Sequence, residues 1–294
     1  MISMNKNIVG HLKKTFIPLI ALFGICIVQC NAQKGKGDQP SIGEEQTVNQ
    51  EGNSILLRFN TPKGFERTVI EPSEFGSYLR NLPLKSVGAE VHLFDGSVKW
   101  NHGVYEAVVD LPIGKKDLHQ CADAVMRLRA EYLWQQKRYN EIHFHFTNGF
   151  DVPYEKWKNG YRVVIHGNKT NWTTTAQSPS NTHADLWNYM ETIFMYAGTL
   201  SLSRELKVAD ERTLQIGDVF IQGGSPGHAV IVVDMAENKQ TGEKKFILAQ
   251  SYMPAQELQI LKNPKGNGVW FSDRQLDPLE TPEWTFEKGS VMRF

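Results

Sequence analysis

Two side chains in this sequence have the chemistry of a nucleophile and a base, Cys121 and His228. Cys121 lies near the start of residues 117–134, a segment whose apolar residues recur at helical spacing. His228 follows the glycine-rich stretch 223–227 and begins the apolar run 229–233, which predicts a buried strand. Cysteine-based acyl transfer requires an imidazole that accepts the thiol proton and later returns it to the leaving group. The two residues together therefore predict nucleophilic catalysis.

The helix predicted around Cys121 begins at Asp117, which forms a capping-box-like pair with Gln120. Cys121 then falls in the first turn, where unpaired backbone N–H groups and the helix dipole favour a thiolate. The backbone N–H of Cys121 and the side-chain amide of Gln120 could bind an oxyanion, although Gln120 could equally serve only the helix cap. The structural alternative for Cys121 is a small, buried apolar residue.

A third side chain should hold the imidazole in one tautomer. The strand that begins with His228 is followed by another, and the turn between them is predicted to centre near Gln240. That register puts Tyr252 opposite His228 and Gln250 one diagonal step away. Gln250 is the preferred orienting residue because its amide oxygen can accept a hydrogen bond from the imidazole. A slip of one residue would bring Ser251 there instead.

Two further residues are expected to support the site through turns. Gly227 belongs to the glycine-rich turn that leads into His228, and Asp218 is expected to serve the turn before its own strand. His119 lies two residues before Cys121 and points to another side of the predicted helix. It is therefore not expected to be the base.

His143 and His145 form an H-x-H pattern on a predicted strand, with His166 on a potential neighbouring strand. The two-residue spacing directs both imidazoles to the same side, as a metal site would require. However, the sequence anchors no third ligand, and the apolar residues that alternate with these histidines define the core face. We expect a solvated or cleft-lining strand face, with no metal and no other cofactor.

Aromatic residues are dense in the middle third of the chain and could form a platform for sugar rings. Packing in the core or beneath a lid is their more common role. The residues concerned are Trp157, Tyr161, Trp172, Trp187 and Tyr189.

The elements that must position these residues alternate between strands and helices and end in an antiparallel meander, which predicts an α+β fold. The Asp95-Gly96 pair also predicts a tight hairpin turn. Strands are predicted over residues 55–59, 66–70, 104–111, 142–146, 161–165, 219–222, 229–233, 246–252 and 258–261, and helices over 73–82, 117–134 and 183–197.

Residues 1–32 are predicted to form a signal peptide. Basic residues precede the uncharged apolar run 16–28, which is shorter than the roughly 20 residues that a membrane span needs. Small residues favour cleavage after Ala32, and the alternative is a lipoprotein whose lipidated first residue is Cys30. Both alternatives predict an exported protein, in the periplasm or on the cell surface, attached to a membrane only through a lipid at Cys30.

Residues 33–53 are polar and rich in Gly, Gln, Glu and Asn, which predicts a flexible linker, and residues 54–294 are expected to form a single domain. The 32 basic and 32 acidic residues balance, which argues against a nucleic-acid partner. Cys121 would be the only thiol of the mature chain, because Cys26 lies in the signal peptide and Cys30 is either removed or lipidated. An unpaired cysteine is unusual in an exported protein.

The order of Cys121 on a helix, Gly217-Asp218, Gly227-His228 and a polar residue on the following strand resembles the papain-like cell-wall hydrolases of the NlpC and CHAP groups. The resemblance covers residues 117–255. It implies a helix carrying the cysteine packed on an antiparallel sheet, with Cys121, His228 and Gln250 as catalytic residues. The chain departs from these families after the cysteine, where Ala122-Asp123 replaces the common Ser-Gly, and in a long insertion before Asn171.

A second resemblance covers nearly the whole mature chain. The strings Asn81 to Leu84, Gln120 to Arg129, Phe146 to Gly149 and Ile216 to Asp234 are similar to an uncharacterised domain-of-unknown-function family of exported bacterial proteins of Bacteroidetes type. This resemblance implies one continuous domain and carries no activity.

Two functions follow as expectations. The first is an exported cysteine peptidase or amidase that acts on an amide or peptide bond, with cell-wall peptide as the substrate class suggested by family and location. The alternative is a non-catalytic exported module that binds glycan or a protein partner, which predicts a buried, unreactive Cys121 and an exposed aromatic patch.

Overall fold

The computed structural model describes residues 48–174 and 178–294. The predicted signal peptide, with Cys30 and both alternatives for its processing, lies outside the described residues, as does most of the predicted linker. The described helices are α1 (Ile55–Arg58), α2 (Phe75–Arg80), α3 (Cys121–Gln135), α4 (Tyr154–Lys158), α5 (His183–Tyr196) and α6 (Thr199–Glu205). None of these described helices combines the length and the apolar character needed to cross a membrane.

The described strands are mostly short. They are β1 (Glu66–Arg67), β2 (Tyr105–Val108), β3 (His143–His145), β4 (Asp151–Pro153), β5 (Tyr161–His166), β6 (Lys169–Thr174), β7 (Lys207–Val208), β8 (Val219–Gln222), β9 (His228–Glu237), β10 (Lys244–Gln250), β11 (Gln259–Leu261), β12 (Trp270–Ser272), β13 (Leu279–Glu280), β14 (Thr285–Phe286) and β15 (Val291–Arg293).

Nine of these strands form one antiparallel sheet in the order β2-β11-β10-β9-β8-β15-β7, with β1 added to β9 and β12 added to β10. The pairs β3-β4, β5-β6 and β13-β14 are separate hairpins. The α+β prediction is confirmed by this mixture of helices and antiparallel sheet.

The central strand β9 is buried from its first residue, His228, to Ala236. Helices α2 and α3 pack against it, and the β13-β14 hairpin packs against its neighbour β8. Covering layers of this kind explain why residues 229–233 are continuously apolar instead of alternating. His228 therefore enters the sheet at the end of its most deeply buried strand.

The register between β9 and β10 changes once along the pair. Ile247 faces Asp234, whereas the next residue, Leu248, faces Val232, so one residue of β9 bulges. Beyond the bulge Ala249 faces Ile231, which is the register expected for a hairpin centred near Gln240. The bulge thus determines which residues of β10 approach His228.

Helix α3 begins at Cys121 and not at Asp117 as predicted. Gln120 is the N-cap residue, and its backbone N–H donates to Asp123 Oδ2 over 3.0 Å. Asp117 instead accepts a hydrogen bond from the backbone N–H of Ala255 at 2.7 Å, outside the helix. The shorter helix makes Cys121 its first residue.

The N-terminal elements differ most from their prediction. Residues 55–58 form helix α1 and not a strand, because Ser54 Oγ caps the turn by accepting from the N–H of Leu57. The helix predicted from Ser73 begins at Phe75. The hairpin at Asp95-Gly96 is confirmed, with a bridge between His92 and Val98.

Residues 48–53, which were assigned to the linker, are attached to the domain. The N–H of Asn49 donates to the carbonyl oxygen of Arg58 at 2.7 Å, and Arg58 Nε donates to the carbonyl oxygen of Gly52 at 2.5 Å. The domain therefore includes residues before the predicted boundary at residue 54.

Candidate active site

Cys121 lies beside the end of the strand that carries His228. Its side chain is 8% exposed, and the backbone N–H groups of Ala122, Ala229 and Cys121 itself point towards the thiol. Ala229 is the second residue of β9, so the thiol faces the backbone directly after His228. Donors in this position stabilise negative charge on sulfur or on an adjacent oxygen atom.

The thiol lines a cavity of about 280 Å³. The first turn of α3, the start of α6 and the glycine-rich turn before β9 form its walls, together with Met253 and Trp284. Thr199 Oγ1, at the start of α6, lies 3.1 Å from the carbonyl oxygen of Gly224 and ties the turn to the helix. The space beside Cys121 is large enough for a few heavy atoms of a bound chain.

The imidazole of His228 contacts Gln250, the residue preferred from the sequence. His228 Nε2 lies 2.8 Å from Gln250 Oε1, and the ring of Tyr252 packs edge-on at 4.9 Å between centroids. Ser251 turns away, because its Oγ lies 2.7 Å from the carbonyl oxygen of Gln256. Of the three candidates for the orienting residue, only Gln250 is hydrogen-bonded to the imidazole.

The orientation of Gln250 is fixed from its other side. Gln250 Nε2 donates to Glu283 Oε2 at 2.6 Å, and the same oxygen accepts from Lys99 Nζ at 2.7 Å. Because a carboxylate can only accept, the amide nitrogen must face Glu283 and the amide oxygen must face His228. The hydrogen then resides on His228 Nε2, and the lone pair resides on Nδ1.

Lys99 and Glu283 were not found from the sequence. Lys99 is 4% exposed, whereas its neighbour Trp100 is 87% exposed. This inverts the usual preference for burying Trp and exposing Lys. Lys99 also donates to Gln256 Oε1 at 2.9 Å, so its ammonium group makes two hydrogen bonds inside the protein. No feature of the sequence around Glu283 marks it as part of a site that begins at residue 99.

The pKa of the Cys121 thiol is raised to about 11, chiefly because burial disfavours the thiolate and next because of the negative charge of Asp123. The three backbone N–H groups act in the opposite direction and do not overcome burial. Burial and the charge of Asp123 therefore disfavour the thiolate that was expected at this helix N-terminus.

Burial also lowers the pKa of His228 to about 4; the hydrogen bond that His228 donates to Gln250 opposes this effect, and the positive charge of Lys99 adds to it. At neutral pH the site therefore holds a neutral thiol and a neutral imidazole. Among the described residues, no hydrogen bond joins the two groups.

Asp123 is an unexpected member of this site. It lines the cavity, and its Oδ1 is buried without a hydrogen-bond partner, while Oδ2 accepts from Gln120. Burial raises the pKa of Asp123 to about 8, so a large fraction of this carboxyl is protonated at neutral pH. In the sequence it stands out only as part of Ala122-Asp123, the pair that replaces the Ser-Gly common after the cysteine.

A family model described as Domain of unknown function (4846), DUF4846, matches residues 55–293. The chain belongs to this family. The matched region includes every residue of the site described above. No curated protein and no solved structure matches the chain.

The other residues expected at this site of the DUF4846 domain hold its structure together. Gln120 Nε2 donates to Asp117 Oδ1 at 3.1 Å, and Gln120 also lines the cavity, so its contact with an oxyanion stays a prediction. Asp218 is fully buried, accepts from the N–H of Gln215 at 2.9 Å and pairs with Arg293 at 2.6 Å. Its position agrees with the expected role in the turn.

Gly227 is required by its surroundings. A Cβ atom at this position would lie 2.4 Å from both the carbonyl oxygen of Gly224 and Thr199 Oγ1. His119 is buried against Phe194, and burial lowers its pKa to about 3. It is directed into the core, in agreement with the expectation that it is not the base.

Metal-ligand side chains do not gather at Cys121. Within residues 48–174 and 178–294, the one group with suitable spacing comprises His143, His145 and Asp151, on the β3-β4 hairpin. His166 lies on the separate β5-β6 hairpin and is not a member. Asp151 is the third side chain of suitable spacing that the sequence did not anchor.

The aromatic residues of the middle third are mostly internal. Tyr189 is fully buried and Trp157 nearly so, and the two rings pack together at 5.8 Å. Trp187 lies under the guanidinium of Arg127. Of the five residues named from the sequence, only Tyr161 is exposed. They therefore do not form a continuous exposed platform for sugar rings.

Proposed function

We propose that this protein is a cysteine hydrolase of papain-like arrangement that cleaves an amide or peptide bond. One observation carries the proposal. Gln250, itself fixed by Glu283, accepts from Nε2 of His228 and so leaves Nδ1 as a proton acceptor, while the backbone N–H of the next residue, Ala229, points towards the Cys121 thiol. A histidine that served only to fill the core would not need a buried lysine and glutamate to fix its tautomer.

In the proposed reaction, Cys121 Sγ attacks the substrate carbonyl carbon while its proton passes to His228 Nδ1. The oxyanion is held by the backbone N–H groups of Cys121, Ala122 and Ala229. His228 then returns the proton to the leaving nitrogen as the C–N bond breaks. Water, deprotonated by His228, attacks the resulting thioester and releases a carboxylic acid and the free thiol.

The protonation states of Cys121 and His228 in the free protein restrict when this reaction can start. The pKa of Cys121 lies near 11 and that of His228 near 4, so a preformed thiolate–imidazolium pair is not populated. Proton transfer must accompany attack, and a bound substrate that displaces water from the cavity has to supply the geometry. This distinguishes the proposed enzyme from one with a permanently activated thiolate.

The proposal includes export of the protein and cell-wall peptides as its substrate class. The apolar run 16–28 supports export, and the order of Cys121, His228 and Gln250 supports kinship with NlpC and CHAP enzymes, so peptides of the cell wall are the first substrates to test. The cavity of about 280 Å³ is suited to one or two small residues beside the scissile bond.

The decisive test measures amide hydrolysis and the reactivity of the Cys121 thiol in the same samples. The parent protein, Cys121→Ser and His228→Ala are incubated with solubilised cell-wall peptides, and released amines are quantified. In parallel, iodoacetamide labelling of the peptide that contains Cys121 is measured by mass spectrometry as a function of pH. Mass spectrometry distinguishes this peptide from those that contain Cys26 and Cys30.

We expect that only the parent protein releases amines. Its Cys121 thiol should be labelled slowly at pH 7 and faster as the pH rises. His228→Ala should abolish release and change labelling far less, because no ion pair is lost. If the parent releases no amine, and a peptide-based electrophile labels Cys121 no faster than iodoacetamide does, the hydrolase is refuted and the binding module is favoured.

A further inference from the structure

A cluster of four side chains lies where the β3-β4 hairpin meets the end of helix α6. His143 and His145 extend from one face of β3, Asp151 is the cross-strand partner of His145 on β4, and Glu205 is the last residue of α6. The cluster is independent of the cysteine chemistry proposed above.

The ligand atoms of the first three residues all lie within 4.8 Å of one another. Asp151 Oδ1 is 3.6 Å from His143 Nδ1 and 4.0 Å from His145 Nε2. Nitrogen and oxygen ligands held 2.0–2.2 Å from a tetrahedral zinc ion stand roughly 3.3–3.6 Å apart. The atoms are therefore too far apart for direct hydrogen bonds and close to the spacing around a shared cation.

Glu205 fixes one of these histidines. Its Oε2 accepts from the backbone N–H of His145 at 3.0 Å and lies 3.2 Å from His145 Nδ1. When Nδ1 donates to this carboxylate, Nε2 is left with a lone pair directed towards Asp151. Metal-binding histidines are usually oriented by such a carboxylate.

The charges of the cluster lack a basic partner. Among the described residues, neither Asp151 nor Glu205 forms an ion pair with Lys or Arg, and both pair with the two histidines instead. Glu205 also lies at a helix C-terminus, where the dipole disfavours a carboxylate. A divalent cation would neutralise both carboxylates without requiring either histidine to be protonated.

We propose that His143 Nδ1, His145 Nε2 and Asp151 Oδ1 form a binding site for a zinc-like divalent transition metal, with Glu205 as the orienting residue. Two imidazoles and one carboxylate select zinc and its neighbours over magnesium or calcium, which prefer oxygen ligands. Three protein ligands leave a coordination position for water or an exogenous ligand. Glu205 links the metal ligand His145 to α6, whose first residues line the cavity at Cys121.

The test uses tag-free protein stripped with a chelator and titrated with Zn²⁺ by calorimetry, and with Co²⁺ by visible absorption. Three variants are compared with the parent. One carries both His143→Ala and His145→Ala, and the other two carry the single substitutions Asp151→Asn and Glu205→Gln. His166→Ala is the matched control, since it removes a surface histidine outside the cluster, and Cys121→Ser tests for binding by the thiol. Circular dichroism shows that each variant folds.

We expect one Zn²⁺ per chain and a tetrahedral Co²⁺ spectrum in the parent, His166→Ala and Cys121→Ser. Glu205→Gln should weaken Zn²⁺ binding about 10- to 100-fold, and loss of a direct ligand should weaken it further. The inference is overturned if the parent takes up no Zn²⁺, if binding survives the double histidine substitution, or if Cys121→Ser alone abolishes it. None of these results depends on whether the protein is a hydrolase.

Discussion

Asp123 is the charged group that most directly opposes ionisation of the Cys121 thiol. Replacing it by Asn removes the negative charge and keeps an oxygen to accept the N–H of Gln120. We expect the pKa of Cys121 to fall and its labelling by iodoacetamide at pH 9 to become several-fold faster, because a larger fraction of the thiol is ionised. The labelling rate from pH 7 to 10 measures the change.

Asp117→Asn is the matched control, because Asp117 flanks the same helix end and does not contribute to the pKa of the thiol. Equal acceleration in both variants would show that loosening of the helix start, and not the charge of Asp123, had been measured.

Glu283 connects the imidazole to a buried ammonium group. Glu283→Gln leaves Lys99 inside the protein without a carboxylate, so we expect the free energy of unfolding to fall by about 3 kcal/mol. The double variant Lys99→Met with Glu283→Gln should recover part of this loss, because the unpaired charge is gone. Urea denaturation of both variants checks the prediction, and a double variant less stable than Glu283→Gln would contradict it.

At the scale of elements, the turn before β9 positions His228. In Gly227→Ala the new methyl group would clash with the carbonyl oxygen of Gly224 and with Thr199 Oγ1, both 2.4 Å away, so the backbone must move. We expect a loss of roughly 2 kcal/mol or more in stability and a displaced imidazole. Gly103→Ala, whose Cβ would have no neighbour nearer than 3.8 Å, should be close to neutral. Thermal unfolding and the histidine NMR signals report the two effects.

The elements around the site were largely predictable, whereas their exact starts were not. The glycines before His228 and the apolar run after it define β9, and the position of Gln250 followed from a hairpin centred near Gln240. That register holds at the site only because of a bulge near Val232. The bulge has no signature in the apolar pattern. Helix α1 was missed because Ile55 and its neighbours have the composition of a strand, which concealed the N-cap residue Ser54, whose Oγ accepts from the N–H of Leu57.

For the molecule as a whole, three buried groups predict a stability maximum near pH 6.5. Folding lowers the pKa of His119 to about 3 and that of His228 to about 4, both from 6.5, and raises that of Asp123 to about 8 from 3.8. Between pH 4 and 6.5 the unfolded chain binds two extra protons at the histidines and one fewer at Asp123. Stability therefore rises with pH, by about 1.4 kcal/mol per pH unit.

Between pH 6.5 and 8 only Asp123 differs, and here the folded chain binds the extra proton, so stability falls as the pH rises. In Asp123→Asn the decline above pH 6.5 should disappear while the rise below it becomes steeper. Urea denaturation at pH 5, 6.5 and 8 measures both slopes. A parent protein that gains stability from pH 6.5 to 8 would contradict the assignment.

The parts of the candidate site that could not be predicted come from distant segments. Cys121, His228 and Gln250 carry local signals, a helix start and two apolar strands. Glu283 and Lys99 meet only because the sheet brings together segments separated by 184 residues. Asp151 becomes a neighbour of His145 through the β3-β4 hairpin, and its Asn148-Gly149 turn pair is a local signal that the sequence analysis did not use. Site residues could be predicted where they coincide with a local sequence pattern.

The contact between Lys99 and Glu283 has a consequence for the timing of activity. A ribosome that has made the first 282 residues has produced the nucleophile, the base and Gln250, and nothing yet holds the amide of Gln250 in one orientation. A nascent chain that lacks Glu283, or a chain cut before it by a protease, would carry an imidazole free to adopt either tautomer. The proposed hydrolase would therefore stay inactive until the segment that carries Glu283 has been made and has docked beside Gln250.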